Sequence, residues 1–165
     1  MKQFRIKQKF WSLGGRFEIF DQLGSLGYQV EGSVLRWLKE YEVKDALGQP
    51  VSHIKEEWSW FLPRFTVTMK DGRRFTIQKE FTWFKDRYKI ADLGLEVQGD
   101  FWDMNFSLLS DNREVARISQ EWFALMSTYN VEVYEDVYAD VAISLVIAID
   151  FVKERAAVAS SAASS

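Results

Sequence analysis

The sequence has no cysteine, one histidine and two prolines, and its apolar runs fall short of the roughly 20 residues a membrane span needs. Without cysteine there is no disulfide framework, no thiolate metal site and no cysteine nucleophile. His53 is the single candidate base for a triad, and no serine stands in a nucleophile-elbow setting, so none is expected. It lies in "VSHIKEE", where an exposed or hydrogen-bonded strand residue is the plain reading. "LGGRF" at 13–17 has neither the spacing nor the flanking elements of a phosphate loop, which leaves Gly14 and Gly15 to make a tight turn. The opening "MKQFRIKQKF" has no apolar core for a signal peptide. A reducing compartment suits such a chain, and a cytoplasmic protein, at most peripheral to a membrane, is expected.

At 165 residues the chain is sized for one domain that buries roughly 70% of its unfolded surface. Aromatics reach 16%, with seven Trp and thirteen Phe, so the core should be rich in rings. The net charge of −3 hides an asymmetry. Residues 1–91 carry 17 Lys and Arg against 11 Asp and Glu, residues 92–140 carry 2 against 11, and the last 25 balance. A chain so divided is not a generic nucleic-acid binder, which is basic overall. Its basic half can still meet an anionic surface locally.

A pattern of Phe or Tyr, any residue, then Ile, Val or Leu recurs as "FEI" at 17, "YEV" at 41, "FTV" at 65, "YKI" at 88, "FSL" at 106 and "YNV" at 129. The steps of 24, 24, 23, 18 and 23 residues argue for one supersecondary unit used repeatedly. Each copy alternates, as in Phe65, Val67 and Met69 against Thr66, Thr68 and Lys70, the period of a strand with one face buried. Turn signals follow: "DQLG" at 21–24, "DALG" at 45–48, "KDGR" at 70–73 and "SDNR" at 110–113. Returning strands come next, so the unit is a hairpin. The aromatic connections between units, such as "KFWSLGG", "EWSWFLPR" and "EFTWFKDR", are expected to pack down, their Trp and Phe residues forming barrel core and rim, with a ligand-stacking surface as the alternative reading.

About a dozen short strands close rather than remain open. A barrel of eight strands is filled by its own side chains, so twelve leave an axial space. "DVAISLVIAIDFVKER" at 140–155 fits it, because between Val141 and Ile149 its sole polar residue is Ser144. A helix apolar on every face is buried, and this one is too short for a bilayer. The expected fold is mainly β: a closed antiparallel barrel of about 12 strands around a C-terminal helix over 137–155, about 28 Å long. Val141, Ile143, Leu145, Val146, Ile147 and Ile149 form the plug. Asp136 or Asp140 is expected to cap it, with Lys153 and Arg155 favouring its C-terminal dipole. Residues 1–155 make one domain, and the Ala/Ser-rich 156–165 is expected to be a disordered tail.

"KQKFWSLGGRFEIFDQLG" near the start, "GLEVQGDF" at 94–101, "EVARISQEWF" at 114–123 and "VAISLVIAID" at 141–150 together resemble the LURP-one-related (YxjI-like) family, over about residues 2–155. The resemblance implies the Tubby C-terminal fold shared with the phospholipid scramblases. It implies little about activity, although relatives in that superfamily bind phosphoinositides or are linked to lipid movement.

The remaining chemistry is sparse. "GDFWDMNF" and "YEDVYADV" are acidic but lack calcium-loop spacing, so no metal is expected; no cofactor is expected either. Asp150 sits on the plug, at the barrel mouth or accepting hydrogen bonds. Arg5, Lys7 and Lys9 alternate on one strand face, and Lys70, Arg73, Arg74 and Lys79 cluster around the "MKDGRRF" hairpin. A solvated barrel surface is the plain reading of both sets, and an anion- or lipid-binding face is the functional one. The expected function is a non-enzymatic binding or scaffold module for an anionic phospholipid surface or a protein partner. The rival is scramblase-like lipid transport or a membrane-associated regulator, which normally wants a membrane anchor.

Overall fold

The structure is a computed structural model that describes residues 1–7, 15–33, 37–60, 62–78, 87–123 and 126–164. Its strands are β1 (Lys2–Lys7), β2 (Arg16–Asp21), β3 (Leu26–Gly32), β4 (Glu40–Asp45), β5 (Pro50–Glu57) and β6 (Arg64–Met69), then β7 (Arg74–Gln78), β8 (Arg87–Ile90), β9 (Leu95–Asp100), β10 (Asn105–Ser110), β11 (Arg113–Phe123) and β12 (Met126–Val133). One helix, α1 (Ala139–Ala163), follows.

All neighbouring strands pair antiparallel, in the order β7-β6-β5-β4-β3-β2-β1-β12-β11-β10-β9-β8. The first and last strands therefore lie side by side, Phe4 opposite Val131 and Ile6 opposite Tyr129. The recurrent aromatics fall on the even strands, and Phe17, Phe65, Phe106 and Tyr129 point inward. Alternation holds in detail: Phe4 and Ile6 are buried while Arg5 and Lys7 face out. Among the described residues no ladder joins β7 to β8, so the barrel is nearly closed; a short 3₁₀ turn, Ala91–Leu93, lies against β7 at that seam.

The helix fills the interior as the run from Val141 to Ile149 requires. Every residue from Val141 to Val152 is buried, and each Val, Ile, Leu or Phe side chain removed from water contributes roughly 1.5–3 kcal/mol. The helix lies against β5, β6 and β7 on one side and β11 and β12 on the other. Among the described residues, no helix is long and apolar enough to cross a membrane.

Three expectations about the helix need correction. It does not stop at 155 but runs through the Ala/Ser segment to Ala163, because alanine is the strongest helix former even when nothing packs on it. Neither Asp136 nor Asp140 caps it: Tyr138 holds the N-cap position without a side-chain bond, and Asp136 sits in a preceding 3₁₀ turn. Lys153 and Arg155, no longer in the last turn, are freed from the dipole role, and Arg155 is drawn to a carboxylate of the wall.

Candidate functional site

The up-and-down order gives the barrel two unlike ends. At the turn end lie the tight connections after β2, β4, β6, β8 and β10, and α1 enters there. At the link end lie the connections after the odd strands, longer after β1, β3, β5 and β7 but short after β9 and β11, and α1 leaves there. Polar side chains hold the plug at several depths. At the turn end Asp140 accepts from Tyr28 Oη at 2.9 Å and pairs with Lys70 Nζ at 3.1 Å. Midway, Ser144 and Ser52 share a hydrogen bond of 2.6 Å between hydroxyls. Towards the link end Tyr129 donates to Asp150 Oδ1 at 2.5 Å, and Arg155 makes a two-pronged contact with Glu56, Nε to Oε1 at 2.6 Å and Nη2 to Oε2 at 3.1 Å.

Asp140, Ser144, Phe151 and Arg155 recur at helical spacing on one face. That face meets β3 to β6: Phe151 stacks on Tyr41 with ring centroids 3.8 Å apart and leans on Phe65. An otherwise uniform helix thus has one depth and one rotation. Asp150 stands off this face, toward β12. Burial pushes its carboxyl up to about 6 against the opposing effects of the Tyr129 hydroxyl and Lys153. Glu154 is pushed up to about 7 by burial and by the charge of Asp150. Tyr129 and Tyr28 are each shifted upward, first by burial and then by their aspartate partners. Glu56 is buried yet fully engaged, since its Oε2 also accepts the Lys39 backbone N–H at 2.9 Å.

At the turn end, Lys70, Arg73 and Arg74 come together on the β6–β7 hairpin, all exposed. Two of them already hold carboxylates: Lys70 pairs with Asp140, and Arg73 Nε with Asp71 at 2.7 Å. Arg5 and Lys7 do not join them, because β1 stands five and six places from β6 and β7 in the sheet order. Lys9 and Lys79 lie outside the described residues. His53 is on the outer face of β5, its Nε2 3.9 Å from Glu40. Among the described residues no group of His, Asp and Glu has metal-site geometry.

The link end carries what sequence reasoning missed. Trp37 is 82% exposed and Trp60 78%, with Trp58 at 48% lying edge-on against Trp60, centroids 4.6 Å apart. At these positions the aromatic connections do not pack down as expected, because the plug has already filled the interior that would receive them. The rings of "EWSWFLPR" gave no signal of this, because Trp58 and Trp60 continue the inward period of Ser52, Ile54 and Glu56 past the end of β5. Glu56 did give one, since it shares the inward period of Ser52 and Ile54 and so required a partner.

Charge divides around the wall as it does along the chain. Strands β9 to β12, with exposed Asp92, Asp100, Asp103 and Asp111 nearby, form one contiguous acidic arc. The complementary arc is mixed: it carries exposed Arg5, Lys7, Lys55, Lys70 and Arg74 with exposed Glu18 and Asp71, and β4 at its centre, which bears Glu40, Glu42 and Asp45 beside Lys44, stands six places from β10.

A family model described as LURP-one-related matches residues 2–150. The uncharacterized protein YxjI of Bacillus subtilis (strain 168) is 25% identical over 149 residues, covering 89% of this chain and 92% of that one. In structure the chain is similar to a protein from Arabidopsis thaliana solved by X-ray crystallography, with a TM-score of 0.51 and 17% identity, covering 91% of this chain and 90% of that one.

Proposed function

The chain belongs to the LURP-one-related family, and from that premise we propose that it is a non-enzymatic binding module that recognises an anionic phospholipid surface from outside a plugged barrel. The arrangement of charge carries the reading. A net negative chain approaches an anionic surface when its most acidic part faces away, and the stretch 92–140, with 11 acidic residues against 2 basic, runs mainly through β9 to β12, across the sheet order from β4. The interior supports the same reading, since α1 occupies the space in which a barrel of this size would hold an apolar ligand. Recognition is then electrostatic and superficial, each Lys or Arg held near the surface contributing about 1 kcal/mol and weakening with salt.

The test is co-sedimentation with vesicles of phosphatidylcholine alone and of phosphatidylcholine with phosphatidylglycerol or phosphoinositide, at low and physiological salt. Binding to the anionic vesicles that weakens as salt rises is expected. No binding to them at low salt overturns the reading.

A further inference from the structure

Four large apolar side chains stand in solvent where α1 leaves the barrel. Trp37 precedes β4, and Trp58 and Trp60 follow β5, the strand that β4 pairs with. The fourth is Val158 of α1. Arg155, held against Glu56 of β5, brings the helix past these strand ends, and Val158 lies one turn further along the same helix face. Beyond it, residues 157–163 are helical and exposed along their whole length.

The size of the corner suits a protein contact. The three rings together expose roughly 300–500 Å², enough for the apolar centre of an interface that buries about 800 Å² on each partner. The protruding helix end adds to that area.

The charge around the rings is compensated within the chain. Lys55 stands opposite Glu40 and Arg64 opposite Glu57 across the strand pairs, and the charge of Lys39 acts on Glu154. Lys153 acts on Asp150, and Arg155 is taken by Glu56. A rim of one sign would repel its own copy; this rim carries both signs in equal number. It also has no excess of cations to draw an anionic surface.

The corner further supplies both halves of a contact. Flat rings sit on the barrel, and beside them projects a helix whose alanines let a ring approach closely. A twofold rotation sets the helix end of each copy on the rings of the other, the reciprocity that an isologous interface requires.

We propose that the corner formed by Trp37, Trp58, Trp60 and Val158 is a self-association surface on which a second copy of the chain docks about a twofold axis. Trp37 and Trp60 are its anchors, and the compensated charges are its polar rim. The lipid reading above is independent of it, because the basic hairpin lies at the opposite end of the barrel.

The experiment is analytical ultracentrifugation of three proteins over a range of concentrations: the parent, Trp37→Ala/Trp60→Ala, and Leu23→Ala/Leu47→Ala. The parent should dimerise with a Kd of about 1–100 µM. The tryptophan variant should weaken the dimer about a hundredfold or more. The leucine variant removes equally exposed apolar side chains at the turn end and should change it less than about threefold. All the replaced side chains are exposed, so both variants should keep the parent's melt. The chain has no cysteine of its own, so Ser59→Cys and Ala159→Cys proteins, mixed and treated with a short bismaleimide, should cross-link to each other. A parent that stays monomeric at about 1 mM overturns the proposal, and quenching of its tryptophans by vesicles of brominated lipid then assigns the corner to a bilayer. A dimer that survives in the tryptophan variant, or a mixture that gives no cross-link, also overturns it.

Discussion

At the turn end three hairpins repeat one design at a spacing of 24 residues. Asp21 Oδ1 accepts the backbone N–H groups of Leu23 and Ser25, Asp45 Oδ1 accepts those of Leu47 and Gln49, and Gly24, Gly48 and Gly72 take φ of +80°, +79° and +88°. Each turn is specified by a few adjacent residues. Contacts between distant parts of the chain pin the plug at both ends, Tyr28 and Lys70 to Asp140 across 112 and 70 positions at the turn end, and Arg155 to Glu56 across 99 at the link end. Only the turn end adds a repeated local chemistry to the plug. A surface free of local turn requirements can carry exposed rings, and the link end does.

The pillar common to both ends gives the largest expected effect. Ile147 is buried at the centre of α1 with no face to water. Ile147→Asp places an unpaired charge there at a cost of several kcal/mol, comparable with a whole stability of about 5–15 kcal/mol. No cooperative melt is expected by circular dichroism; a melt within a few degrees of the parent's would make the helix peripheral and dissolve the contrast between the ends.

The ends separate when one ion pair is broken in each. Arg155→Ala leaves Glu56 buried without its partner and should cost about 3 kcal/mol in denaturant unfolding. Lys70→Ala removes an exposed partner of Asp140 and should cost under about 1 kcal/mol. Equal costs would mean that the link end is no more dependent on the plug than the turn end.

Asp150 distinguishes the link end by pH. Its carboxyl is raised to about 6 in the fold from an unfolded value near 3.9, so the folded state binds the extra proton between these limits. Stability is therefore greatest at the acidic edge of that window and falls as pH rises through about 6, with Glu154 extending the fall toward 7. Asp150→Asn keeps an acceptor for Tyr129 and should raise stability at pH 7.5 by roughly 1–3 kcal/mol, with little change at pH 4. Thermal melts across pH 4–8 measure this; an unchanged slope would show that Asp150 is not the titrating group.

The smallest effect belongs to a single turn. Gly48 has φ of +79° with open space where a side chain would begin, so Gly48→Ala costs backbone strain alone, about 1 kcal/mol. A loss of several kcal/mol in denaturant unfolding would show the turns to be less independent than their repetition suggests.

Much of the fold was legible because strand alternation and turn chemistry are local. Phe65, Val67 and Met69 declare an inward face by spacing alone, and the greasy span from Val141 declares a buried helix. The polar pins were less legible. Ser144 and Asp150 stood out as odd residues on the plug, but partners 92 and 21 positions away are set by depth and rotation inside the barrel. The helix overran its expected end because amphipathic logic stops at Arg155 whereas alanine propensity does not. The basic residues were visible, but their compensation by Asp140 and Asp71 is tertiary. Trp37 and Trp60 were counted with the core and rim because burial is the usual fate of a ring, and the filled interior that excludes them is a property of the whole molecule.

The most direct measurement of the plugged barrel is amide hydrogen exchange resolved along α1. Amides from Val141 to Val152 should be among the slowest in the protein, opening only with global unfolding, while those from Ala156 to Ala163 exchange rapidly, since that part of the helix leaves the barrel exposed. Fast exchange across 141–152, or protection that runs undiminished to Ala163, would contradict it.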